Sequence, residues 1–159
     1  MEGAVTTDGG AIFFPDRVSN TATFLRVAAA TDARSTAVGQ SPEAGFLLEG
    51  DRYGITINSA ARTATVVDLS TMKVSATLML AGVPNAGATS PDRSTLLVSL
   101  GGKQWPPKGT GVAVIAGDPP KVIASLPTGN GASSVAVSKD GSQAAVANYW
   151  DKSITVLGR

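Results

Sequence analysis

The chain has 159 residues, enough for one buried core. With 43% hydrophobic and 16% charged residues it is not a disordered chain, and a net charge of +1 removes the electrostatic case for nucleic acid or an anionic membrane surface. It has neither cysteine nor histidine. Disulfides, zinc–thiolate sites, iron–sulfur clusters, cysteine nucleophiles, Ser-His-Asp triads and His-ligated haem are therefore excluded within it.

Taken in chain order, short turn signals lead into short apolar runs. The first residues, Met1 to Asp8, carry two acids and no base, so no secretory leader is expected in them, and no apolar run is long enough to cross a bilayer. Asp8-Gly9-Gly10 opens Ala11–Phe14, followed by Ala22/Phe24 and by Ser35–Val38, ending at Gly39. Gly50-Asp51-Arg52 opens Tyr53–Ile57, followed by Ala64/Val66 and by Val74–Leu80, ending at Gly82. Pro91-Asp92-Arg93 opens Thr95–Val98, and Val122–Leu126 leads to Gly129. Lys139-Asp140-Gly141 opens Ala144–Ala147, followed by Ser153–Val156.

Asp8, Gly50, Asp92 and Asp140 stand 42, 42 and 48 residues apart. In the third repeat the pair Val112/Val114 arrives six residues late, which places an insertion near Gly101–Thr110. Its Lys103–Gly109 stretch is expected to project beyond the strands, because Pro106-Pro107 cannot donate ladder hydrogen bonds. Four runs per ~42 residues, rich in Val, Ile, Thr, Ala and Leu and bounded by Gly, Pro, Asp, Asn and Ser, predict an all-β β-propeller segment of about four four-stranded blades. The repeats span approximately 3–40, 41–82, 83–129 and 130–159, in one domain covering 1–159. The last repeat stops after Ser153–Val156, so its outer strand is expected to be missing.

The fourth repeat, Ser134–Asn148 with Ser153–Val156, resembles the YVTN-type β-propeller repeat. Ala145-Val146-Ala147-Asn148 stands at the motif, with Ile55-Thr56-Ile57-Asn58 a fair second. Phe13-Phe14-Pro15-Asp16 and Leu97-Val98-Ser99-Leu100 depart from it. The resemblance implies a fold of about seven blades, of which this chain would be a C-terminal part. It also implies a periplasmic or extracellular setting. Such repeats serve surface proteins, binding modules, lactonase-like enzymes and enzyme subunits, so it does not decide whether the chain is an enzyme.

Propeller geometry sorts the loops between two faces. Asp8, Asp32, Glu49, Asp51, Asp68, Asp92, Asp118 and Asp140 fall on the a–b/c–d face and read mostly as turn formers. Asp16, Glu43 and Asp151 fall on the opposite face, with Trp105 in the insertion and Trp150 in the next repeat's b–c loop. Trp105, Tyr149, Trp150, Asp151 and Lys152 form the candidate ligand-binding patch, flanked by Lys103 and Lys108.

Other signals are weaker. Ser70-Thr71-Met72-Lys73 matches S-x-x-K but falls in a hairpin, where that chemistry does not operate. Gly109-Thr110-Gly111 and Gly129-Asn130-Gly131 lack the third glycine and helix of a dinucleotide site. Glu43, Asn85 and Asn130 occupy matched d–a positions facing the channel, a thin oxygen set for Ca²⁺. Asp16 and Glu43 are the nearest approach to a glycosidase pair. No metal and no cofactor is expected. The leading expectation is a binding or scaffold module. The alternatives are a lactonase-like propeller hydrolase or the non-catalytic propeller part of a redox enzyme. The expected partners are a second chain completing the ring, or self-association, and a small-molecule or protein ligand. Nucleic acid is not expected.

Overall fold

The computed structural model describes residues 2–29, 31–101 and 110–158. Among them, the regular structure is strand alone, fifteen strands in four antiparallel sheets. Blade 1 is β1 (Ala4–Val5), β2 (Ala11–Asp16), β3 (Thr21–Arg26) and β4 (Ala33–Ala37). Blade 2 is β5 (Pro42–Leu48), β6 (Tyr53–Asn58), β7 (Thr63–Asp68) and β8 (Lys73–Met79). Blade 3 is β9 (Pro84–Thr89), β10 (Thr95–Leu100), β11 (Thr110–Ala116) and β12 (Lys121–Asn130). Blade 4 has three strands, β13 (Ala132–Val137), β14 (Gln143–Asn148) and β15 (Ser153–Gly158). Within each sheet the strands run in chain order, a to d, and successive inner strands β1, β5, β9 and β13 lie side by side. This is a propeller segment whose fourth blade lacks an outer strand.

In blades 1, 3 and 4 the a–b turns form because a Ser or Thr and an Asp two residues later close on each other. Asp8 Oδ1 accepts the Thr6 hydroxyl at 2.7 Å and the Gly10 N–H at 2.8 Å. Asp140 Oδ1 accepts the Ser138 hydroxyl at 2.6 Å and the Ser142 N–H at 3.0 Å. Asp92 repeats the pattern with Ser90 and Ser94. These bonds favour the ionised form, so Asp92 and Asp140 are lowered to about 2, first by the serine hydroxyls Ser90 and Ser138.

Each b strand has two faces, one toward the preceding blade and one toward the next. In β6 both are covered, so Tyr53 to Asn58 are all buried. In β14 only one is covered: Ala144, Val146 and Asn148 are buried while Gln143, Ala145 and Ala147 are exposed. A continuous apolar run is thus needed only where two blades flank a strand.

The seams differ in chemistry. Blade 1 meets blade 2 through Phe13, fully buried, whose ring occupies the space a side chain on Gly54 would take; a Cβ there would lie 2.6 Å from Phe13 Cζ. Blades 2 and 3 share the largest core cluster, with Phe46, Tyr53, Ile55 and Ile57 against Leu96, Val98 and Leu100. Fully burying each aliphatic or aromatic side chain contributes roughly 1.5–3 kcal/mol. Blade 4 adds Ala132, Val135 and Val146 against Val112 and Leu97.

Two seams also carry a polar lock. Asn58, fully buried at the end of β6, donates from Nδ2 to Thr63 Oγ1 at 3.1 Å and Thr65 Oγ1 at 2.9 Å, and Oδ1 accepts the Thr56 hydroxyl at 3.0 Å. The backbone of Gly39, beyond the end of β4, lies against this amide: a Cβ there would come 2.6 Å from Asn58 Nδ2. Blade 4 repeats the device with Asn148, Ser153, Thr155 and Gly129. Val146 stands where Thr56 stands in blade 2, and among the described residues Asn148 Oδ1 is the buried side-chain atom left without a partner.

Candidate functional site

The loops sort as the repeat pattern requires. On one face the a–b turns link to one another and to c–d loops. The Thr7 N–H donates to Asp51 Oδ2 at 2.6 Å, Arg93 pairs with Asp51 Oδ1, and Arg52 Nη1 donates to Asp118 Oδ2 at 2.8 Å. Asp118 Oδ1 also accepts the Tyr53 hydroxyl at 2.8 Å. Asp51 and Asp118, expected to act as turn formers, are instead cross-blade acceptors. Burial pushes the Asp51 carboxyl up, but the Thr7 hydrogen bonds and the Arg93 guanidinium outweigh it, and its titration is lowered. The S-x-x-K stretch lies in the β7–β8 hairpin, with the Ser70 hydroxyl donated to Asp68 Oδ1 at 2.6 Å.

On the other face lies the tight turn between β14 and β15, which carries Tyr149, Trp150, Asp151 and Lys152. Tyr149 is half exposed, Trp150 partly buried, and their rings meet edge to face with centroids 5.1 Å apart at 89°. The turn is tied to the β12–β13 junction. The Tyr149 and Trp150 N–H groups donate to the carbonyls of Gly131 and Asn130 at 2.9 and 3.2 Å. Asp151 accepts the Asn130 backbone N–H at 2.7 Å and its side-chain amide at 3.0 Å. Those two bonds, the backbone one first, hold the Asp151 carboxyl below its ordinary range. Lys152 is exposed and takes a positive φ of 50°. Trp105, Lys103 and Lys108 lie outside the described residues, as does the expected projection of Lys103–Gly109.

The d–a positions need one correction. Asn130 does not match Glu43 and Asn85. The register pairs Pro42 with Asn58, Pro84 with Leu100 and Ala132 with Asn148, so Ser133 is the third member and Asn130 belongs to the Asp151 turn. The Asn85 side-chain amide donates to the Ser133 carbonyl. Glu43 Oε1 accepts the Ser59 hydroxyl at 2.6 Å, and Oε2 lies 3.4 Å from Arg17 Nη1. Arg17, Glu43, Ser59, Pro84 and Asn85 line a polar cleft of about 150 Å³ on the same face as Tyr149. Asp16 does not face Glu43 as a reacting pair: its Oδ1 caps its own turn, accepting the Val18 and Ser19 N–H groups.

Ser59 and Arg17 were not singled out by sequence, although each follows the last residue of its b strand as Tyr149 does. Among the described residues, no group of three or more carboxylates comes together as a metal site. An apolar gap of about 270 Å³ opens between blades 3 and 4, where Leu97 faces the short Ala144.

No family model and no curated protein sequence matches the chain. Solved structures do. Hydrazine synthase of Kuenenia stuttgartiensis superposes with a TM-score of 0.85 at 20% identity, over 99% of this chain and 45% of that one. A putative 6-phosphogluconolactonase of Bacteroides uniformis gives 0.76 at 16% identity, over 99% and 50%. A second, of Bacteroides fragilis, gives 0.73 at 16%, over 99% and 49%. The chain spans about half the length of the structures it matches, and at these identities the likeness is one of fold.

Proposed function

We propose that residues 1–159 form one YVTN-type propeller domain that serves as a binding or scaffold module, offering its b–c/d–a face to a ligand or protein partner. The observation that carries this reading is the Tyr149–Trp150 pair, set edge to face on a turn braced by four hydrogen bonds to the β12–β13 junction. Aromatic side chains on a rigid turn offer contact area at low conformational cost, which is the make-up of a binding hot spot. Trp105, Asp151 and Lys152 complete the proposed patch.

The test screens small molecules and peptides against the unaltered chain by tryptophan emission and measures the affinity of those that bind, for the chain and its variants, by calorimetry. Bound ligands should lose affinity when Tyr149 or Trp150 is replaced by Ala. Ligands that bind equally well to both variants would place binding elsewhere and refute the assignment.

A second reading rests on the printed names of the structural neighbours, a putative lactonase and a synthase. It makes the chain part of a propeller hydrolase or a non-catalytic section of a redox enzyme. Stoichiometric divalent metal in the purified protein would favour the first, and co-purification with a cofactor-bearing chain the second.

A further inference from the structure

We propose that two copies of this chain close on each other as a twofold ring of eight blades, with the open face of blade 1 packed on the open face of blade 4. This inference is independent of the loop-face reading.

It starts from the rule the seams obey inside the chain. At each seam the middle forward-pointing residue of one b strand sits against backward-pointing residues of the next: Phe13 against Gly54, Ile55 against Leu96 and Val98, Leu97 against Ala144 and Val146. The largest of these middle residues, Phe13, meets a glycine. Size on one side is compensated on the other, as close packing demands.

The two open faces continue that rule. Blade 4 points Ala145 forward, the smallest member of the forward series, with Ala136 paired beside it. Blade 1 points back with Ile12 and Phe14, a pair whose Phe14 is the one aromatic of the backward series. A large backward pair set against an alanine closes the series on itself. Each face exposes apolar surface that a covering sheet would bury: Val5 at 49% and Phe14 at 37% on blade 1, Ile154 at 70% and Val156 at 64% on blade 4. Contact of unlike faces is heterologous, and two such contacts around a twofold axis give a closed assembly.

Light scattering coupled to size exclusion tests this on the 159-residue chain itself. The expected mass is that of two chains. Phe14→Glu and Ala145→Glu, both at exposed positions, should each reduce it to one chain with an unchanged far-UV circular dichroism spectrum. Mixed in equal amounts, the two variants should recover a two-chain species, because one of the two seams is then built from unaltered faces. The chain contains no cysteine. Phe14→Cys combined with Ala145→Cys should therefore cross-link between copies and between nothing else. A one-chain mass for the unmodified protein at every concentration overturns the proposal. So does a two-chain species that survives either glutamate, which would mean that like faces meet or that the contact lies elsewhere.

Discussion

Replacing Thr56 by Val tests the polar lock at its most exact point. The two side chains have nearly the same shape, so packing against blade 1 is retained. What is lost is the hydroxyl that donates to Asn58 Oδ1 at 3.0 Å, at a fully buried site. Leaving a buried amide oxygen without a donor costs about 1–3 kcal/mol. Burying a methyl in place of a hydroxyl returns up to about 0.8 kcal/mol. The expected net loss is therefore roughly 0.2–3 kcal/mol. Urea denaturation followed by circular dichroism should show the midpoint falling by a few tenths of a molar or more at unchanged slope, given slopes of roughly 1–3 kcal/mol/M. The mirror experiment is Val146→Thr, which supplies the missing donor to Asn148 Oδ1 and should shift stability in the opposite direction from Thr56→Val. A Thr56→Val protein as stable as its parent would show that the amide oxygen finds another partner, and the account of the lock would fail.

Three further outcomes are expected. Gly39→Ala and Gly129→Ala should each destabilise by about 1–3 kcal/mol, since the added carbon falls within 2.8 Å of the asparagine amide; unchanged thermal midpoints would show that the seam yields freely. Acid should weaken the fold as pH falls from about 4 toward 2. Asp92 and Asp140 titrate at about 2 when folded against 3.8 otherwise, so their contribution is complete above the higher value and lost through the lower one. Asp92→Asn with Asp140→Asn should flatten that slope in pH-dependent denaturation curves. Trp150→Ala should weaken binding of any ligand of the b–c face by ~2 kcal/mol, read by calorimetry, with no change in fold.

The repeat was legible because each strand needs a period and a turn, and both are local. Asp8, Asp92 and Asp140 could be read as turn formers from Ser/Thr-x-Asp spacing alone. The two faces of the disc followed from strand order. What escaped sequence reasoning was contact between blades. Asp51 looks like its neighbours in a turn, yet Gly50 holds the anchor position and leaves Asp51 to reach Thr7 and Arg93. Asn130 was misplaced by spacing and not by structure: Glu43 and Asn85 each stand seven residues before the anchors Gly50 and Asp92, and seven before Asp140 is Ser133. The register shift at this end of the a–b ladder recurs in blades 2, 3 and 4, so it moves no position relative to the others. The anchoring of the Tyr149 turn by Asn130 was hidden because it joins two segments 21 residues apart.

The chemistry of the seams has a thermal consequence. Leu100 stands where Asn58 and Asn148 stand, and Val98 pairs with Ala113 where Thr56 pairs with Thr65, so the buried heart of the join between blades 2 and 3 is apolar, its ion pairs and hydrogen bonds to Asp51 and Asp118 lying at the rim. Its neighbours on either side carry hydrogen-bonded amides. Apolar adhesion weakens on cooling, while hydrogen bonds keep their enthalpy. The middle join, broadest in the warm, is therefore the one that loses most in the cold. Chilled protein should first loosen where blade 2 meets blade 3, on either side of the link at residues 80–83, parting into two pairs of blades, whereas heat should fray the outermost sheets before the centre gives way.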